Sequence, residues 1–428
     1  MVELNSLHTL FQTKARNEAL KKFVKDDKCT RLHISGLQGS AAALLLAGLP
    51  EYGTTTLFIA NDPEEAGYLY NDFMQIRNDN RVLFFPSGYK RALKYGQTDP
   101  AADILRTDTI NRLQQADESL IVVTYPEALC EKVASNEELH RNTLRLAKGE
   151  KCDLASVADF LTGYGFERVD YVYEPGQFAV RGSIVDVYSF SSDLPYRIDT
   201  FGDEIESIRA FNIDTQLSQD PVNEIFIIPD LQAGSTSGIS LLQFIDKNTL
   251  LAVKDLAWVL ERMHSVATDT ISQQLLLTEE GDLHAKEKLI DTDDFSRYVL
   301  DFKRIDYGVK SFRDETGATL SLNCSPQPIY HKNFDLVSES FSSLLQDGYK
   351  LYILSDSEKQ TQRIANIFED KGENIPFTPV SKTLHEGFID NELHLCFFTD
   401  HQLFARFHKY QLRSDNARSG KLALSLKE

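Results

Sequence analysis

The sequence has few cysteines and no long apolar run, and each shortage excludes a class of protein. Its five cysteines are scattered, odd in number and never spaced C-x-x-C, so neither a disulfide framework nor a structural zinc site is expected. The apolar run Ala41–Leu46 is far shorter than the roughly 20 residues that cross a bilayer. No basic segment leads into an apolar one at the N-terminus, as a secretory signal requires. We therefore expect a cytoplasmic protein without a membrane partner.

Basic residues are also in short supply. The 428 residues include 45 lysines and arginines against 64 aspartates and glutamates, which gives a net charge of −19. A surface of this sign repels the phosphates of nucleic acids, so DNA binding is not expected of this chain. Its hydrophobic content of 42% is ordinary for globular proteins. The length predicts about three domains.

Residues 1–149 alternate β-rich runs with helical patterns. A predicted leading helix places five apolar side chains on one face: Leu7, Leu10, Phe11, Leu20 and Phe23. The β-rich runs cover residues 31–35, 55–60, 81–85 and 120–124, and the helical patterns between them cover 40–47, 63–76 and 101–113. Strands that alternate with helices predict a parallel sheet with helices on both faces.

The pattern changes between residues 150 and 230. A helix is predicted over 154–161, and two-residue alternation predicts paired strands over 196–201 and 204–211. Asp203 and Glu204 would fall at the turn between these strands, which disfavours a role as a magnesium-holding pair. We interpret the segment as a small α+β domain with an antiparallel sheet.

Helix–strand alternation returns over residues 231–320. The simplest interpretation is that this segment completes the first domain, which the small domain interrupts, although three consecutive domains also fit the pattern. Ser325-Pro326-Gln327-Pro328 predicts a linker, because prolines disfavour helix on either side. A second small α/β domain is expected over 326–415, with strands at 350–355 and 393–399 and helices at 336–345 and 358–368.

Residues 36–43, called here the degenerate loop, lie between a predicted strand and a predicted helix, as phosphate loops do. A working loop reads G-x-x-x-x-G-K-[ST], with a lysine at the phosphates and a hydroxyl on magnesium. Alignment on Gly36 and Gly39 puts Ala41, Ala42 and Ala43 where the glycine, the lysine and the hydroxyl residue are required, and Ser40 is the remaining residue assigned to the loop. We therefore expect no nucleotide cofactor, no metal and no catalytic residue in this chain. A nucleotide hydrolase with an unorthodox site is the alternative.

Residues 166–188 combine arginines with aromatic side chains. They predict two strands around the turn Glu174-Pro175-Gly176-Gln177, followed by a second bend at Gly182. Arginine and aromatic residues are the types that anchor protein interfaces. The alternative is that these arginines pair with nearby aspartates, and both interpretations stay open from the residues alone: Asp170, Asp186 and Asp199 are the acids in question.

The same segment resembles a known family. Residues 174–188, with 194–199 and 201–206, are similar to the second domain shared by UvrB and the transcription-repair coupling factors, Mfd. Residues 84–87 and the degenerate loop lie where that family's first domain has its counterparts, and residues 399–404 resemble the end of the coupling factors' third domain. The coupling factors fit better, because UvrB keeps an intact phosphate loop and a tyrosine-rich hairpin that clamps DNA.

The resemblance implies a fold and a division into domains. We expect a helicase-like parallel α/β domain with a degenerate P-loop, interrupted by a small α+β antiparallel-sheet domain and followed by a second small α/β domain. The implied boundaries are 1–149 and 231–320 for the first domain, 150–230 for the inserted one and 326–415 for the third. Residues 416–428 would be a linker toward an RNA-polymerase-interaction domain.

The resemblance also implies a role. The chain would be a non-catalytic adaptor that recruits UvrA of nucleotide excision repair to RNA polymerase stalled at DNA damage. Polymerase contact, ATP, magnesium and helicase activity would belong to domains outside this chain, and a damaged-DNA-binding domain like that of UvrB is an alternative. The UvrA-facing candidates that the resemblance implies are Arg181 and its sheet neighbours Arg168, Phe178, Tyr188 and Arg197.

Overall fold

The computed structural model describes residues 2–88, 100–115, 118–190, 192, 194–227, 238–277, 289–309 and 317–407. Its strands, numbered in chain order, are β1 (Val2–Glu3), β2 (Arg31–Ser35), β3 (Thr56–Ile59), β4 (Val82–Phe84), β5 (Ile121–Thr124), β6 (Leu144–Ala147), β7 (Glu167–Arg168), β8 (Gln177–Arg181), β9 (Ile184–Val187), β10 (Tyr196–Phe201), β11 (Glu204–Phe211), β12 (Ser218–Val222), β13 (Glu224–Ile227), β14 (Leu250–Val253), β15 (Arg304–Asp306), β16 (Ala318–Ser321), β17 (Cys324–Pro326), β18 (Lys350–Ser355), β19 (Thr378–Ser381), β20 (Phe388–Asp390) and β21 (Leu395–Thr399).

The helices are numbered in the same way. They are α1 (Leu4–Phe11), α2 (Lys14–Lys25), α3 (Ala41–Leu46), α4 (Pro63–Arg77), α5 (Pro100–Gln115), α6 (Pro126–Leu129), α7 (Asn136–Asn142), α8 (Leu154–Gly163), α9 (Leu241–Phe244), α10 (Leu256–Leu277), α11 (Thr292–Val299), α12 (Phe334–Gln346), α13 (Glu358–Asp370) and α14 (Asp400–Leu403). Within the described ranges, no helix is both long enough and apolar enough to cross a membrane.

A seven-stranded sheet, the parallel sheet, forms the largest part of the fold. Its order is β16-β2-β15-β14-β3-β5-β4, and every neighbouring pair is parallel. Strands β3, β5 and β14 are buried along their whole length, as expected of a sheet covered on both faces. Strands β2 to β5 precede the sheet of β7 to β12 in the sequence, and β14 to β16 follow it. The expected interrupted α/β fold is therefore confirmed.

The six-stranded sheet between those two segments, called here the inserted sheet, has the order β12-β11-β10-β9-β8-β7. Strands β8 to β12 are antiparallel, and the predicted turn at Gly202-Asp203 joins β10 to β11. The two strands predicted around residues 174–177 are only partly right: β7 has two residues and runs parallel to β8. The Gln177 side chain accepts the N–H groups of Tyr173 and Glu174, so these two amides need no partner strand.

The third sheet, called here the C-terminal sheet, has the order β1-β19-β18-β21-β20-β17. The linker predicted over residues 325–328 is wrong, because β17 is an edge strand of this sheet, where proline is tolerated. Gln327 is buried, and its side-chain oxygen accepts the Thr399 N–H at 2.8 Å. Strand β1, from the opposite end of the sequence, pairs with β19 and was not predicted.

The predicted leading helix is two helices, α1 and α2, which break at Gln12-Thr13. The Thr13 hydroxyl accepts the Arg16 N–H and so caps α2. Leu10 is exposed, whereas Phe11 is fully buried. Four of the five side chains predicted from the apolar spacing are therefore buried, all but Leu10, and the spacing did not predict the break between the two helices.

Both N-terminal helices pack against the C-terminal sheet. The Phe11 ring lies edge-on to Phe388 and Phe397, with ring centroids 5.2 and 5.9 Å apart. On α2, Arg16 forms a buried ion pair with Asp390, with 2.7 Å between Nη1 and Oδ2, and its Nη2 lies 2.9 Å from Glu392. A buried ion pair is costly to break from one side, because the remaining charge loses its partner.

We expect Arg16→Met to lower the free energy of unfolding by about 3 kcal/mol or more, because it leaves the Asp390 carboxylate buried without its cation. Urea denaturation of the whole chain measures this change. Arg16→Met combined with Asp390→Asn should recover part of the loss. Lys14→Met, at an exposed position of the same helix, is the control. An unchanged midpoint for Arg16→Met would show that the pair does not hold the helix on the sheet.

Candidate partner-binding face and the degenerate loop

One face of the inserted sheet is apolar and buried. Phe178, Val185, Ile198 and Ile208 belong to a core that also takes side chains from α8, β6 and β13. Strand alternation puts these residues on the same side, and Phe178 is completely buried. This face holds the sheet to the rest of its domain.

The opposite face of the inserted sheet carries charged residues. The pairing of β9, β10 and β11 sets Asp186, Arg197 and Arg209 side by side, and Arg181 follows on β8. Asp186 is fully buried, and Arg197 binds it through two nitrogens, with Nε at 2.7 Å and Nη2 at 2.9 Å. Arg181 is hydrogen-bonded to the same carboxylate through Nη2. We call these four residues the arginine face.

The arginine face combines fixed geometry with exposed charge. The hydrogen bond to Asp186 raises the pKa of Arg197, so this guanidinium stays charged. The Arg181 side chain remains 38% exposed, and its guanidinium lies 5.1 Å from the ring centre of Tyr171, which is itself half exposed. One buried carboxylate therefore positions two guanidiniums without hiding them from a partner.

The predicted interface residues do not all meet. Arg181 and Arg197 share the arginine face, and their pairing with a nearby aspartate occurs as the alternative interpretation expected. Phe178 and Tyr188 are buried, at 0% and 5% exposure, so they support the sheet and offer almost no surface. Arg168 is exposed, but its pairing with Phe178 places it on the other face.

Sequence analysis did not single out Arg209. It is exposed on β11 and lies beside Arg197 in the register. Arg209 follows the core residue Ile208, so strand alternation places it on the opposite face, and its position beside Arg197 could have been predicted if the β10–β11 pairing had been known. Its neighbour Phe211 lies under the Arg197 guanidinium, 4.6 Å from the ring centre, and helps to hold the arginine in place.

The degenerate loop follows β2 and has the left-handed backbone that glycine favours. The φ angles of Gly36 and Gly39 are +76° and +51°. A side chain at either position would collide with backbone, because a Cβ at Gly36 would lie 1.8 Å from the Leu322 oxygen and one at Gly39 would lie 2.8 Å from the Gly387 oxygen. The loop is therefore packed against residues from much later in the chain.

Two hydrogen bonds join the degenerate loop to the segment before β20. The Ser40 N–H donates to the Glu386 carbonyl at 3.1 Å, and the Glu386 N–H donates to Ser40 Oγ at 3.0 Å. Ala43 is buried and Ala42 half-buried in the short apolar helix α3. The Ser40 backbone donor, which a phosphate-binding loop would aim at an anion, is bonded to protein here.

Comparison with known proteins gives one family model and a set of relatives. Residues 144–232 match the family model described as the UvrB interaction domain. The transcription-repair-coupling factor of Escherichia coli (strain K12) is 31% identical over 196 residues, which cover 45% of this chain and 17% of that protein. The corresponding factor of Bacillus subtilis (strain 168) is 30% identical over 198 residues, or 46% and 17%.

A longer match extends over most of the chain. The transcription-repair-coupling factor of Borreliella burgdorferi is 22% identical over 407 residues, which cover 85% of this chain and 35% of that protein. The chain therefore spans well under half the length of the curated relatives it matches. The family-model match contains α8, the inserted sheet and a two-stranded antiparallel sheet formed by β6 and β13.

We expect no thermal stabilisation of the chain by millimolar Mg·ATP, because Glu386 and Gly387 occupy the space beside Gly39. Ala42→Lys, which restores the missing ammonium group at a half-buried position, should not create nucleotide binding either. Thermal denaturation with and without nucleotide measures both. A rise of several degrees for the wild-type chain would contradict this description of the loop.

Proposed function

We propose that the chain is a non-catalytic adaptor that binds UvrA, because it is similar to the transcription-repair-coupling factors and its residues 144–232 match the model of the UvrB interaction domain. The observation that carries the proposal is the arginine face, in which a buried Asp186 holds Arg181 and Arg197 in fixed positions. UvrA would dock on this face of the inserted sheet.

The electrostatic argument starts from the contrast between this face and the chain as a whole. The net charge is −19, yet Arg181, Arg197 and Arg209 lie together on adjoining strands. A cationic patch in an acidic protein selects an acidic partner surface and disfavours incorrect contacts elsewhere. Because Asp186 orders two of the guanidiniums before binding, less side-chain entropy is lost when the partner docks.

The non-catalytic part of the proposal rests on the degenerate loop. Ala42 and Ala43 supply neither an ammonium group nor a metal-binding hydroxyl, and the Ser40 N–H is already bonded to Glu386. No nucleotide or metal cofactor is part of the proposed role. In the described part of the chain, no cluster of three or more histidine, cysteine or acidic residues could hold a metal ion. Polymerase contact and ATP-driven translocation rest on the resemblance and stay predictions about segments outside residues 1–428.

We expect Arg181→Glu to weaken UvrA binding by at least ten-fold, since loss of an interface arginine costs on the order of 2–4 kcal/mol. Affinity measured with immobilised UvrA tests this. The melting temperature should fall by a few degrees, because the new carboxylate lies beside the buried Asp186, but the chain should stay folded because Asp186 keeps its two bonds to Arg197.

Two further variants show which surface matters. Arg297→Glu makes the same change in charge at an exposed position of α11, outside the UvrB interaction domain, and should leave UvrA binding unchanged. Arg168→Glu makes that change on the opposite face of the inserted sheet and should have a smaller effect than Arg181→Glu. Equal loss of binding for all three variants would indicate a general charge effect and contradict the assigned face.

A further inference from the structure

Residues 382–387, called here the strap, run from β19 to β20 and lie across α4 and the degenerate loop. The ring of His385 stacks on Tyr68 of α4, with centroids 3.5 Å apart and planes 13° from parallel. Lys382 Nζ donates to Asn78 Oδ1, just past the end of α4, at 3.0 Å. The strap belongs to the C-terminal sheet, so these contacts join that sheet to the parallel sheet's helices.

Asp72 stands at the centre of this junction. It is one helical turn from Tyr68 on the same face of α4, and only 3% of it is exposed. Its Oδ2 accepts the Ser40 hydroxyl at 2.5 Å, and its Oδ1 accepts the His385 N–H at 2.7 Å. A single carboxyl group therefore bridges the degenerate loop and the strap.

The Ser40 hydroxyl completes the bridge, because its oxygen also accepts the Glu386 N–H. From the C-terminal side, His401 Nε2 is hydrogen-bonded to the His385 carbonyl at 2.8 Å, and Gln402 accepts the Gly387 N–H at 2.7 Å. The hydrogen bonds from His401 and Gln402 thus hold the strap to its own sheet, and the bonds to Asp72 and Ser40 hold it to the first domain. Asp72 takes part only in the second set.

Asp72 titrates in the neutral range. Burial raises the pKa of Asp72 to about 7; the hydrogen bonds from Ser40 and His385 oppose the rise, and the Glu386 carboxylate adds to it. The ionisable groups that face it are His385 and Glu386 on the strap and Tyr68 on α4, and the degenerate loop contains no ionisable side chain.

We propose that Asp72, Ser40 and the strap form a proton-dependent latch that closes the C-terminal sheet onto the first domain when Asp72 is protonated and loosens when Asp72 ionises. Protonation removes the negative charge from this buried group, and its oxygens still lie at hydrogen-bond distance from Ser40 Oγ and the His385 N–H. An ionised carboxylate in the same buried position favours opening, because opening returns the charge to solvent. The latch goes beyond the adaptor role and does not depend on it.

The direction of the pH effect follows from the two protonation states. In the closed latch the pKa of Asp72 lies near 7, whereas in the open latch it returns toward 3.8, the ordinary value. Between these values the closed form binds the extra proton, so opening becomes easier as the pH rises from about 4 to about 7. Above about pH 7 both forms are ionised, and the opening equilibrium no longer changes with pH.

Amide hydrogen exchange of the whole chain, followed by mass spectrometry and corrected for intrinsic rates, tests the latch. We expect protection of the peptides that contain residues 382–387 to be about ten-fold lower at pH 7.5 than at pH 5.5, with no further fall at pH 8.5. Peptides from β18, which do not touch Asp72, serve as the internal reference.

Two variants identify the titrating group. Asp72→Asn keeps an acceptor for the His385 N–H, places an amide N–H against Ser40 Oγ and carries no titrating proton, so strap protection should become independent of pH. His385→Phe keeps a ring against Tyr68 and removes the imidazole, so the pH dependence should persist. The proposal is overturned if strap protection in the wild-type chain is flat from pH 5.5 to 8.5. It is equally overturned if Asp72→Asn retains the dependence or His385→Phe abolishes it.

Discussion

The reciprocal hydrogen bonds between Ser40 and Glu386 hold the degenerate loop of the first domain against the strap of the C-terminal sheet. They join residues 346 positions apart, and glycine is needed beside them at position 39, where φ is +51° and a Cβ would lie 2.8 Å from the Gly387 carbonyl oxygen. The same loop would have to point outward to receive a phosphate. Because the Ser40 N–H is bonded within the chain, the loop joins the parallel sheet to the C-terminal sheet, and we predict that it does not bind a nucleotide.

A second constraint governs the inserted sheet, where the alternation of side chains along the strands gives its two faces different roles. Phe178 and Ile198 lie in the buried core on one face, while Asp186 and Arg197 pair with each other on the other face. A fully buried carboxylate would be unfavourable alone, but two arginines compensate it and stay partly exposed. The domain therefore carries an ordered cationic surface on a rigid support, away from the junction at the degenerate loop.

Much of this fold was predictable because its signals are local. The bounds of β2 and β18 agree with the predicted strands at 31–35 and 350–355, since β2 alternates polar with apolar residues and β18 has an apolar centre between Lys350 and Ser355. The break between α1 and α2 was missed, because the apolar spacing continues across it and only the capping role of Thr13 marks it. The prolines near residue 326 were misinterpreted because an edge strand tolerates them as readily as a linker does.

The candidate sites were less predictable, because their geometry depends on contacts between distant residues. Motif reasoning identified the missing lysine and hydroxyl of the degenerate loop, but nothing near Ser40 in the sequence points to Glu386. In the inserted sheet, Arg181 and Arg197 were identified from their motif, whereas Arg209 needs the strand register to be recognised. Burial also separates Phe178 and Tyr188 from the exposed residues, and aromatic composition could not make that distinction.

The most direct test is a hydrogen-exchange footprint of the whole chain bound to UvrA. The account predicts slower exchange in the hairpin formed by β8 and β9, with unchanged exchange in residues 36–43. Slowed exchange at the degenerate loop, without protection of the β8–β9 hairpin, would contradict it.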